Sequence, residues 1–155
     1  MKTIICILSL FLITQTSCTA QKTAKDNQKK SLSKQNESVA TIELIKSNRG
    51  GQVNYKFDPK TISTTQRNRN LVKDLSLDNW EKLNAIVQKI NLQNISSYQS
   101  DGQNRFNDSA AACKIIITTD KNNYTSEEFD EGNPPKELSL LYNNLIQIIT
   151  NNKEK

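Results

Sequence analysis

Apolar residues recur along this chain at two different periods, and each period predicts an element. Residues 39–46 (VATIELIK) set Ile42 and Leu44 two apart around Glu43, the spacing of a half-buried strand. Asn48-Arg49-Gly50-Gly51 is a strong turn signal. Residues 52–58 then alternate cleanly, with Val53, Tyr55 and Phe57 on one face and Asn54, Lys56 and Asp58 on the other. Asp58-Pro59-Lys60 turns the chain into a third strand over 61–66, so short joints predict an antiparallel meander.

Over 76–91 the period becomes helical. Trp80, Leu83, Ile86, Val87 and Ile90 share one stripe, and Ser76 or Asp78 can cap its start. Residues 113–119 (CKIIITT) are a β-branched strand, 120–123 a turn and 124–129 a returning strand. Asn133-Pro134 predicts a helix start, with Asn as cap and Pro in the first position. That helix runs to about Asn151 and turns Leu138, Leu141, Tyr142, Leu145, Ile148 and Ile149 inward. The order βββα-ββα predicts an α+β fold: an antiparallel sheet of about five strands with two helices on one face, in a single domain over 39–152.

The first residues carry a different signal. Lys2 precedes an unbroken apolar run over 4–13 (IICILSLFLI), about 15 Å long as helix and half a hydrocarbon core. This predicts a signal peptide. Thr16-Ser17-Cys18 resembles the end of a bacterial lipobox, with Gln15 where that pattern has Leu, Val or Ile. The resemblance implies removal of 1–17 and a lipid on Cys18, which would hold the protein to the cell envelope at the outer membrane. Cleavage after Ala20 is the alternative and would release a free secreted or periplasmic protein. Residues 19–38 hold one sizeable apolar side chain, Leu32, so 18–38 is expected to be a flexible polar tether.

Composition then closes several chemistries. Among the 155 residues there is no histidine, which removes imidazole bases, Ser-His-Asp triads and His-containing zinc sites. The net charge of +5 could suggest nucleic acid, but residues 18–40 hold +3 of it. Residues 41–155 balance fifteen Lys/Arg against fourteen Asp/Glu, a net of +1, so no nucleic-acid partner is expected. Arg67, Arg69 and Lys73 are expected on a solvated loop. With Cys6 in the signal segment and Cys18 acylated, Cys113 would be the last thiol. Nothing in the sequence lowers its pKa, so it is expected to be a small buried hydrophobe.

Two segments offer partner contacts. The connection over 92–112 is long for a compact domain and carries Tyr98, Arg105, Phe106 and Asp108. Residues 129–135 (FDEGNPP) carry Asp130 and Glu131, expected to be exposed acids beside Glu127 and Glu128. Calcium takes six to eight oxygens, and no EF-hand spacing is present, so neither metal nor cofactor is implied. The FDxGxPP-then-helix ending, preceded by the aromatic-Asx-Asp-small-Ala stretch at 106–112, resembles small exported lipoproteins of the Bacteroidetes kind. The resemblance spans about 76–150 and implies no assigned activity and no catalytic residue. The expected function is a non-catalytic, membrane-tethered envelope module that binds a protein or a small ligand, with an immunity or inhibitor protein as its sharpest form. The alternative is an envelope hydrolase working through carboxylates or a calcium ion.

Overall fold

A computed structural model describes residues 37–102 and 110–153. The expectations for the signal segment, for Cys18 and most of the tether, and for Arg105, Phe106 and Asp108 lie outside the described residues.

The predicted meander is present and gains a strand. β1 (Val39–Asn48) pairs antiparallel with β2 (Gly51–Phe57), and β2 pairs with β3 (Thr61–Gln66). Between β2 and β3 the Asp58 carboxylate accepts from the backbone N–H of Lys60 (2.8 Å) and Thr61 (2.7 Å), and from the Thr61 hydroxyl (2.7 Å). Those three bonds hold the turn that Pro59 begins. Where the sequence predicts a solvated loop, Arg67 and Asn68 form a two-residue turn into β4 (Arg69–Asp74), with Arg67 at φ +52°. β4 is a correction to the predicted layout, and it forms one edge of the sheet.

The first helix, α1 (Leu77–Val87), starts at Ser76, whose hydroxyl accepts the Asn79 N–H at 3.3 Å. It ends at Val87 rather than 91, and a turn then keeps Ile90 buried. A 3-10 helix over Leu92–Ser97 follows and buries Leu92 and Ile95, so the start of the long connection is packed.

β5 (Ala112–Thr119) lies against β1 on the side away from β2. The return strand is broken in two, into β6 (Asn123–Thr125) and β7 (Phe129–Asp130), both paired with β5. The break is at Ser126. Its N–H donates to the Ile115 carbonyl (2.9 Å), while its side-chain oxygen, in place of a backbone carbonyl, accepts the Ile115 N–H (3.0 Å). Register slips by one residue across it, from Ile116 opposite Thr125 to Cys113 opposite Phe129, as a bulge requires.

A 3-10 turn over Lys136–Leu138 leads into α2 (Ser139–Lys153). Asn133 does not cap it. Pro135 stands at the head of the 3-10 turn, and Asn133 is drawn back into a bridge with Asp130. Among the described residues the sheet therefore has seven strands, along β4-β3-β2-β1-β5-β6 with β7 beside β5, all antiparallel.

One sheet face and both helices make a single core. Ile42, Leu44, Tyr55, Phe57, Ile62, Cys113, Ile115 and Ile117 alternate onto that face and meet the predicted stripes of α1 and α2, all buried. The opposite face mixes Ile45 and Ile116 with polar groups: Glu43 accepts from Asn54 at 2.9 Å and pairs with Lys56 at 3.3 Å. No helix among the described residues is long and apolar enough to cross a membrane.

Candidate functional site

Of the residues predicted to meet a partner at the 129–135 elbow, Asp130 is buried in the fold and Glu131 stays exposed in an ion pair. Phe129 stacks edge-on against Tyr142, with ring centroids 5.5 Å apart. Gly132 adopts φ +85°, which aims its N–H at the Tyr142 hydroxyl (2.9 Å). Asp130, expected to be exposed, is 1% exposed. Gly102 packs directly on its carboxylate, and the Ser100 hydroxyl donates to the Asn133 carbonyl at 2.6 Å.

Glu131 reaches across to Lys46 on β1, with Nζ and Oε1 2.5 Å apart. Burial works against the Lys46 ammonium, but the Glu131 carboxylate outweighs it and lifts its pKa above the ordinary lysine value. Tyr98 is half-buried and donates to the Asn91 carbonyl at 3.0 Å; burial, then the Glu137 charge, raises its pKa. Cys113 lies under the same corner, and burial pushes its thiol up to about 11. A thiol held neutral in this way is a poor nucleophile. The elbow is a clasp tying β1, β7 and α2 together. Among the described residues no three His, Cys, Asp or Glu side chains gather as metal ligands.

A second cluster fixes the point where the chain enters the domain. The Glu37 carboxylate accepts from the Thr119 hydroxyl (2.7 Å), the Tyr124 hydroxyl (2.9 Å) and the Asn122 amide (3.4 Å). The Thr119 bond leads the causes that hold the Glu37 carboxyl below the usual range. Ser38 and Asp120 exchange two further bonds. Glu37 and Ser38, grouped by their polarity with the tether, are thus bonded to the β5–β6 turn.

One open surface among the described residues is the edge the sequence pattern did not predict. β4 pairs with β3 from Thr61 opposite Asp74 to Gln66 opposite Arg69. A two-residue turn makes Gln66–Arg69 a hydrogen-bonded pair, so Arg69, Leu71 and Lys73 direct their backbone groups inward to β3. Asn70, Val72 and Asp74 direct theirs outward, where no strand among the described residues pairs with them. Leu71 is 56% and Val72 54% exposed, one on each face of the strand.

On the core side of this edge an apolar cleft of about 220 Å³ opens between β2–β4 and the end of α2. Tyr55, Ile62, Leu71 and Ile149 line it, and Lys73 closes one end by donating to the Asn152 carbonyl. Arg69 shares this side of β4 with Leu71 and Lys73, and Arg67 in the turn donates to the Gly50 carbonyl at 3.2 Å. Sequence alone offered one signal here, the basic trio, and placed it on a loop. No family model matches the chain, and no curated protein or solved structure matches it significantly.

Proposed function

We propose that this chain is a non-catalytic binding module of the bacterial cell envelope. In this reading residues 1–17 direct export, a lipid on Cys18 anchors the chain at the outer membrane, and the tether carries the folded domain to another envelope protein. Membership of the small Bacteroidetes-type lipoproteins belongs to the same proposal. The observation that carries the binding role is the open β4 edge, with exposed Leu71 and Val72 beside an apolar cleft. Exposed apolar residues on an unpaired edge are a liability unless something docks there. The anchored chain entry at Glu37 suits a domain held by its N-terminal side.

Metabolic palmitate labelling and photocrosslinking in living cells test the two halves. Wild-type chain is expected to carry label and sediment with membranes, and Cys18→Ala to lose both. A mature N-terminus at Gln21 would refute the anchor. A photocrosslinking residue at position 72 is expected to trap one envelope protein that the same probe at exposed Lys82 does not. Equal products at both positions would refute binding at this edge.

A further inference from the structure

We infer that the β4 edge takes up an extended peptide segment of its partner as an added strand, with an apolar side chain in the cleft and carboxylates two residues to either side. The inference rests on the binding role proposed above and specifies its partner. Three features point to this occupant. First, the outward N–H and C=O groups of Asn70, Val72 and Asp74 repeat at strand spacing, which a helix or a compact ligand cannot match but an extended backbone does. Second, the cleft, lined by Leu71, Ile62 and Ile149, opens on one face of the sheet beside β4, the face onto which an added strand would turn every second side chain. Third, the side of β4 facing the cleft reads Arg69, Leu71, Lys73: cation, apolar, cation. An added strand sets its own residues beside these at the same spacing, so the complement is acidic, apolar, acidic. The Arg67 guanidinium in the turn extends the positive end.

The far edge of the sheet, β6, is three residues long, Asn-Tyr-Thr, and has no row of cation, apolar, cation. β6 lies under the 3-10 helix of Leu92–Ser97, with Gln93 donating to the Tyr124 hydroxyl at 2.9 Å.

The test uses the purified full chain and a fluorescein-labelled peptide, Thr-Glu-Thr-Leu-Thr-Glu-Thr, followed by anisotropy. Saturable binding is expected, weakened at least about tenfold when both Glu are Lys, the scale of one or two net hydrogen bonds or ion pairs. Val72→Pro removes an outward N–H and leaves the β3 ladder intact, so it should keep the Trp80 emission and lose binding by a similar factor. Should that variant not fold, peptides N-methylated at alternate residues carry the same question. One of the two isomers blocks the pairing edge and should fail, while the other binds.

Equal affinity for the Lys peptide, for folded Val72→Pro, or for both methylated isomers overturns the inference. So does absence of binding at about 1 mM peptide. A dimer that Val72→Pro turns into monomer would show that a second copy of the chain covers the edge, and would overturn it too. If position 72 traps an envelope protein while these peptides fail, the binding role stands and the added strand falls.

Discussion

Asp58 shows at the residue scale how one short side chain turns a sheet. Its three accepted bonds replace what the β2–β3 turn would otherwise seek from water, and they are strongest to an ionised carboxylate. Burial opposes that ionisation, but the Thr61 hydroxyl and the N–H groups of Lys60 and Thr61 outweigh it and hold the pKa below the ordinary Asp value. A depressed folded-state pKa stabilises above the unfolded-state pKa, and the benefit is lost as pH falls through the folded value. Asp58→Asn is therefore expected to lose about 1–2 kcal/mol at neutral pH, and the gap should narrow between about pH 5 and 3. Thermal unfolding of both proteins across that range measures it. A gap that stays constant down to pH 3 would show that the charge plays no part in the turn.

At the scale of elements, the glycines on either side of the clasp separate strain from contact. Gly132 sits at φ +85° with nothing near the place of a Cβ, so Gly132→Ala meets backbone strain alone, about 1 kcal/mol. At Gly102 a Cβ would lie 2.5 Å from Asp130 Oδ2 and 2.7 Å from Asn133 Nδ2. Gly102→Ala must push a buried carboxylate aside and is expected to lose about 1–3 kcal/mol, the larger effect of the two. Urea unfolding of the two variants decides, and a smaller loss at 102 would mean the Asp130 side chain moves freely. The same pair marks where sequence stops being informative. β1 to β3, α1, β5 and the body of α2 were legible because one face of each is buried, which writes its period into the residues. β4 has no such face. Its two apolar residues are adjacent, both exposed, and its turn puts an arginine at positive φ where glycine would have been the signal. Among its acidic neighbours Asp130 reads as solvated, because its contact with Gly102 joins residues remote in sequence.

For the molecule as a whole, the continuity of the core sets how it comes apart. Trp80 on α1 is 7% exposed, Cys113 on β5 is fully buried, and both belong to the cluster that also takes in α2. No boundary in that cluster would let the helix layer leave while the sheet persists. Unfolding is therefore expected to be all-or-none. In a chain with Cys6 and Cys18 both changed to alanine, Cys113 is the sole thiol of the original three. Its pKa of about 11 leaves little thiolate at pH 8 even before burial blocks access. Trp80 emission, far-UV circular dichroism and iodoacetamide labelling of Cys113 then report three separate parts of one structure. Their urea midpoints should coincide, with a slope of about 1–3 kcal/mol per molar for a domain this size. The β4 edge should open earlier by hydrogen exchange, because no strand among the described residues covers its outer side. That local opening leaves the three core probes unmoved. If Cys113 labels at a urea concentration where Trp80 emission is still native, the sheet and the helices are separate folding units, and the single core described here does not govern stability.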